Sequence, residues 1–302
     1  MLLYDDLYID TAFAWLCKQR KDYHFNNDVW HLRFHWTQEK PRLVKALKEQ
    51  RYALHPVHKI RTPDRVTFLW CALDALVLKA LSLLLKDLLT PILSDRIYHL
   101  AGSPEQKKGY LAAITAVTDV LPRYPFVFRT DVKRYYASIS HRVLMNLCRQ
   151  YIACPYLISL VKGYLNHVIV EDGVYTAIKK GISLGCPLSP LMGALFLKPL
   201  DDALEKMEVF YIRFMDDWVV LATTRHRLRK AVRVVNQCLE SLQVSQHPNK
   251  TFVGRTSRGF NFLGKHFQRY EISKGCMICV TQKKEEPQKT SVRRCLERPS
   301  RI

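Results

Sequence analysis

The sequence predicts an α+β fold in which an antiparallel sheet is backed by helices, and three observations carry that expectation. Residues 209–212 and 218–221 are aromatic and β-branched runs on either side of a short polar break, the signature of a hairpin. Residues 126–132 alternate as a third strand. Leu228, Val232, Val235, Leu239 and Leu242 recur at helical spacing, with Arg229, Lys230, Arg233 and Glu240 between them, so one face packs on a sheet and the other stays wet. A hydrophobic content of 48% over 302 residues is enough for a substantial core, arranged as one multi-lobed unit.

Taken in order, residues 1–50 read as helical. Their aromatics (Trp15, Tyr23, Trp30, Trp36) lie among Lys and Arg, which suits either stacking on RNA or a packing layer. Residues 68–89 are the most apolar stretch, but Asp74, Lys79, Lys86 and Asp87 interrupt it. A charge at the centre of a membrane span costs about 2.5–3.5 kcal/mol, so a buried helix is expected there. After the strand at 126–132, Ser140 is placed to cap a helix through Val143, Leu144 and Leu147. Residues 181–190 are rich in Gly, Ser and Pro. Gly181 and Gly185 let backbone approach a ligand closely, and Pro190 suits the first turn of a packed helix that Pro199 kinks or ends. Beyond Gly264 the chain turns polar, and residues 271–302 are expected as a tail.

Chemistry concentrates at the ends of the predicted strands. Asp216 and Asp217 sit together at the hairpin tip, and Asp131 ends the strand at 126–132. Asp is common in ordinary turns, and a lone strand-end Asp usually makes a surface ion pair. Carboxylates packed side by side between apolar strands repel unless a cation lies among them, and magnesium suits such oxygen ligands. One Asp from one strand and two from a hairpin suit a pair of ions roughly 3.5–4 Å apart, the arrangement for in-line phosphoryl displacement.

Five segments in order resemble motifs A to E of reverse transcriptases: residues 131–136, 181–190, 214–217, then Asn249-Lys250-Thr251, then 260–264. The likeness covers about residues 50–270 and is nearest to enzymes of bacterial retroelements, group II introns and their phage-defence relatives. It implies a right-hand polymerase with an antiparallel palm sheet, fingers, and a short or missing thumb. On that template residues 1–50 form an N-terminal helical extension, 51–125 the fingers with 141–180 interleaved, and 126–270 the palm. The resemblance implies two Mg2+ ions, with Mn2+ as a substitute, held by Asp131, Asp216, Asp217 and the Val132 carbonyl. Tyr136 matches the steric gate that excludes a ribose 2′-hydroxyl. Lys250 matches a lysine near the departing pyrophosphate. Lys59, Arg61 and Arg65 align with cations that clasp the dNTP triphosphate, with Gly185 and Cys186 also at the nucleotide. Phe262, Leu263 and Gly264 match the primer grip. Four positions depart from the common pattern: Phe214 stands for Tyr, Met215 for a smaller apolar residue, Leu184 for Gln and Cys186 for Ser. The first two keep apolar bulk; the lost amide bears on how the incoming base or template strand is held.

The implied partners are an RNA template, including a dedicated structured RNA, a DNA product and dNTPs. Either a protein partner or a second copy supplies the thumb, or the chain is a truncated form with weak processivity. Lys and Arg total 47 against 27 Asp and Glu, a net charge of +20. Such a surplus suits sequence-independent phosphate binding with steep salt dependence, though a membrane-surface or ribosome-associated protein shares it. Basic residues cluster beside the motifs: Arg129, Lys133 and Arg134; Arg225, Arg227, Arg229, Lys230 and Arg233; Arg255 and Arg258. Asp5, Asp6 and Asp10 near the start argue against a cleavable signal, and the nine cysteines offer no metal-binding quartet, Cys276 and Cys279 being a lone CxxC. A reducing, cytoplasmic setting without membrane contact is expected. Two other functions remain open: an RNA-dependent RNA polymerase, which the ring at the gate position disfavours, and a non-catalytic RNA-binding protein on a polymerase-like core.

Overall fold

The computed structural model describes residues 2–61, 66–100, 109–272 and 275–282. The chain begins with three helices, α1 (Asp6–Gln19), α2 (Asp28–Phe34) and α3 (Trp36–Lys48), followed by β1 (Val57–Arg61), β2 (Val66–Leu69) and the apolar α4 (Ala72–Leu89). Next come α5 (Tyr110–Val120), β3 (Phe126–Asp131), α6 (Tyr135–Ser138), α7 (His141–Tyr151), α8 (Pro155–Leu165), β4 (Val168–Glu171) and β5 (Val174–Ala177). The remaining elements are α9 (Ser189–Phe196), α10 (Lys198–Glu205), β6 (Phe210–Phe214), β7 (Asp217–Ala222), α11 (Arg225–Ser241), β8 (Phe252–Arg255), β9 (Phe260–Phe262), β10 (Lys265–Ile272) and β11 (Gly275–Gln282).

Three sheets result, ordered β2-β1-β4-β5, β6-β7-β3-β8 and β11-β10-β9. The second is antiparallel throughout and lies at the centre of the molecule. Its residues divide between two cores with the period of two that a pleated strand imposes. Phe128, Tyr211, Trp218, Val220 and Ala222 face the large core built with α4, α7, α9, α10 and α11. Their neighbours Val127, Ile212, Val219 and Leu221 face a smaller core shared with Ala113 and Val117 of α5 and with Phe260, Phe262 and Phe267. Covering both faces explains why β7 is a continuous apolar run rather than an alternating one.

The predicted hairpin, strand and helices form, with local adjustments. Residues 66–69 pair with β1, so the buried helix begins only at Ala72. Eleven of its residues are buried, and among the described residues no helix is long and apolar enough to cross a membrane. Pro190 lies in the first turn of α9, and Pro199 in the first turn of α10 after a break at Leu197. Of the N-terminal aromatics, Trp36 stacks on Phe13 at 4.0 Å and Trp15 and Trp30 lie against the large core, while Tyr23 is exposed. Part of the segment expected as a tail from 271 forms a strand: Gly275–Gln282 pair along the whole of β10, and residues 283–302 lie outside the described ones.

Candidate active site

The register of the central sheet brings two of the three carboxylates face to face. Asp131, last residue of β3, pairs directly with Asp217, first residue of β7. Phe214 pairs with Asp217 across the hairpin, so Met215 and Asp216 form a two-residue turn, with Met215 at φ +56°. Like charges directly opposite on neighbouring strands destabilise a sheet. Two cations offset this: Lys250 Nζ donates to Asp131 Oδ2 at 2.5 Å, and Arg129 Nη2 to Asp217 Oδ2 at 3.2 Å. The other oxygens, Asp131 Oδ1 and Asp217 Oδ1, are buried and have no hydrogen-bond partner. Burial, with Asp131 adding to it, pushes the Asp217 carboxyl up to about 6 against the pull of Arg129; burial and Asp131 also raise Asp216. The unpartnered buried oxygens of Asp131 and Asp217, and the raised carboxyls of Asp216 and Asp217, are what a divalent cation relieves, and an all-oxygen donor set suits Mg2+. Val132 meets Gln246 in an isolated bridge closed by Lys133 N–H to Ser245 O and His247 N–H to Asp131 O. That pattern turns the Val132 carbonyl away from Gln246.

The turn is held by residues that the sequence pattern did not reveal. Arg213, fully buried in β6, forks onto the buried Asp201 of α10, Nε to Oδ1 at 2.8 Å and Nη2 to Oδ2 at 2.5 Å. Tyr211 donates its hydroxyl to the same carboxylate at 2.6 Å. Arg213 Nη1 then donates to the Met215 carbonyl at 2.8 Å, and the Met215 N–H donates to His99 Nδ1 at 2.9 Å. Both sides of the turn backbone are therefore fixed. The available signal was an Arg inside an apolar strand, which is costly unless paired.

Tyr136, in the short helix α6 five positions after Asp131, comes to the same centre. Burial raises its hydroxyl pKa, and Asp216 contributes as the second cause. The hydroxyl is buried without a hydrogen-bond partner. The loop at 181–190 packs against this segment: Ile182 N–H donates to Tyr136 O and Gly181 N–H to Ile139 O, both at 2.8 Å. Gly181 has φ +89°, and a Cβ there would meet Ala137 and Tyr136 backbone at 3.1 Å, so only glycine fits. Gly185 has φ +89° as well, and Cys186 is buried, its thiol pushed up to about 12.

On the other side, Phe262 pairs with Lys265, leaving Leu263 and Gly264 as a two-residue turn with φ +49° and +73°. Left-handed values at both turn positions match a type I′ hairpin. Phe262 is buried in the smaller core, and the Leu263 backbone amide helps hold the Asp217 carboxyl down. The structure thus gathers Asp131, Asp216, Asp217, Lys250, Tyr136 and the Leu263 turn around one end of the central sheet.

A sequence model of the family reverse transcriptase (RNA-dependent DNA polymerase) matches residues 71–267. The chain belongs to the reverse transcriptase family. Protein YkfC of Escherichia coli (strain K12) is 23% identical over 193 residues, 52% of this chain and 50% of that protein. The chain therefore spans about half the length of that curated relative. Two solved assemblies, a partial Cas6-RT-Cas1–Cas2 complex and a Cas6-RT-Cas1–Cas2 complex, each align with 80% of the chain at TM-score 0.47 and 20% identity, covering 42% and 26% of the respective partner chains.

Two of the three cations aligned with a triphosphate clasp lie in the sheet β2-β1-β4-β5. Lys59 and Arg61 of β1 both bind Glu171 of β4, Lys59 Nζ at 2.7 Å, and together hold that carboxyl down at about 2. Their charge is answered within the sheet by a partner the sequence did not flag. Arg65 lies outside the described residues. Among the described residues, the trio of His, Cys, Asp or Glu whose ligand atoms all lie within 4.8 Å of one another is His55, Cys71 and Asp74, not the three aspartates. It is a helix-capping network: Cys71 Sγ accepts the Asp74 N–H at 3.4 Å, and Asp74 accepts the Tyr52 hydroxyl at 2.5 Å and the His55 N–H at 2.7 Å.

Proposed function

We propose that the chain is an RNA-directed DNA polymerase that extends a primer with dNTPs on an RNA template, with its reaction centre at Asp131, Asp216 and Asp217. The observation that carries this reading is the pairing of Asp131 with Asp217 beside the Asp216 turn, each paired residue keeping one buried oxygen without a partner. The three carboxylates and the Val132 carbonyl would hold two Mg2+ ions, with Mn2+ able to replace them. Bound there, the ions supply a lowered pKa at the attacking 3′-hydroxyl and charge stabilisation at the leaving pyrophosphate. Lys250, half-exposed and resting on Asp131, is placed to turn towards developing negative charge on the leaving group. The electrostatic influence of Asp216 on the Tyr136 hydroxyl supports a role for this ring as the barrier to a 2′-hydroxyl, and the loop carrying Gly185 and Cys186 closes the same side of the nucleotide. The turn at Leu263 and Gly264, anchored by Phe262, would grip the primer strand next to Asp217.

In this reading the central sheet with residues 126–270 is the palm, and residues 51–125 with 141–180 form the fingers. Primer extension on primed RNA tests it. The wild type incorporates dNTPs, Asp216→Ala with Asp217→Ala abolishes incorporation, and equal activity in the double variant overturns the assignment. Tyr136→Ala should admit ribonucleotides; unchanged sugar selectivity rejects the gate. A wild type that prefers rNTPs would make the chain an RNA polymerase instead.

A further inference from the structure

At the opposite end of β3 from Asp131 the surface opens into a cavity of about 380 Å³ that polymerisation leaves unused. Its floor is Phe126, first residue of β3, and Val253 of the edge strand β8; its rim is Arg225, Arg229, Arg255 and Arg258. The construction is direct. Phe126 pairs on one side with Ala222, the end of β7, and on the other with Arg255, the end of β8. From Ala222 the chain passes through Thr223 and Thr224 into α11, where the Thr224 hydroxyl accepts the Arg227 N–H at 3.2 Å as a cap. Arg225 and Arg229 stand one helical turn apart on the first turns of α11, the positive end of its dipole. Arg258 closes the short helical turn Thr256–Arg258 that follows β8.

All four guanidinium groups are exposed, and among the described residues none forms an ion pair with a carboxylate. Arg227, on the same turn of α11, does pair, with Glu208. Four like charges around one concavity, two of them at i and i+4, repel each other and the helix end. An anion removes that cost, and arginine rather than lysine presents the forked donors that match phosphate. Five residue-to-residue steps of strand lead from Phe126 to Asp131, about 17 Å at the rise of a strand.

We propose that this cavity is a phosphate-binding site for the backbone of a folded RNA, held apart from the primer terminus. The choice of RNA over an acidic protein rests on the polymerase reading; the anion chemistry does not.

The test compares wild type with Arg255→Ala plus Arg258→Ala, and with Arg225→Ala plus Arg229→Ala. Affinity for bulk transfer RNA is measured as a function of salt, and turnover on a short oligo(dT)–oligo(rA) primer–template is measured in parallel. Each double variant should bind the folded RNA at least tenfold more weakly at low salt, with the slope of log K against log salt reduced by about 1.5. Turnover on the short duplex should stay within twofold of wild type. Unchanged affinity and slope overturn the site. A parallel loss of turnover through a raised KM for the short duplex overturns its separation from the primer–template path. Tighter binding of polyglutamate than of transfer RNA, lost in the same variants, overturns RNA as the occupant. If wild type incorporates no nucleotide yet the slope still falls in the variants, the RNA site stands and the polymerase reading fails. Thermal melts of the variants matching wild type tie the losses to the removed charges.

Discussion

Asp217 carries the clearest electrostatic signature in the molecule. Its folded-state pKa of about 6 lies above the usual carboxylate value of 3.8, so between those values the folded chain binds more protons than the unfolded one. Stability conferred by protonation is therefore present below about pH 4 and is lost as pH rises through 6. The difference is worth at most about 3 kcal/mol. Asp217→Asn should raise the melting temperature of metal-free protein at pH 7.5, with the gain fading towards pH 5. Added Mg2+ should stabilise the wild type at pH 7.5 and have little effect on that variant. A lower melting temperature in the variant at pH 7.5, or a gain that persists at pH 5, would contradict the burial account. The place of this residue at the end of a hairpin was legible from its apolar flanks, although it begins β7 instead of sharing the turn with Asp216. Its direct opposition to Asp131 was not, because register depends on how two distant strands pair rather than on either one.

At the scale of elements, the hairpin is a turn clamped from behind. Replacing Arg213 with Met leaves Asp201 buried without its counter-charge, a change that typically costs 3–5 kcal/mol. It also frees the Met215 carbonyl, so activity should fall further than stability predicts. Adding Asp201→Leu to Arg213→Met should recover most of the melting temperature but not the turnover. Recovery of both would show that the clamp is structural only. Strand and helix types were readable because β-branched alternation and the apolar stripe of α11 are local signals. The partner of Arg213 is not legible along the chain, since Asp201 reaches it from a separate helix. Likewise, Glu171 is far in sequence from Lys59 and Arg61, and a strand pairing was needed to join them. The β10–β11 hairpin was missed because the polar residues beyond it coloured the whole C-terminal segment, although residues 276–280 are themselves apolar.

Across the whole molecule, a net charge of +20 favours binding of phosphate-rich partners. The chain's affinity for primer–template should fall steeply with salt, with log K linear in log salt; a flat response would remove the electrostatic basis of binding. The motif order was legible along most of the chain because the chemistry needs particular residue types at strand ends and turns. The arginine-lined cavity was legible only as scattered basic residues, since α11 and β8 meet only in the folded sheet. The central claim is that three aspartates gather divalent cations at one end of that sheet. Electron paramagnetic resonance of Mn2+ binding in the presence of dNTP tests it most directly: the wild type should take up about two ions per chain, and Asp131→Asn with Asp217→Asn should lose that binding. Equal uptake by the variant would contradict the account.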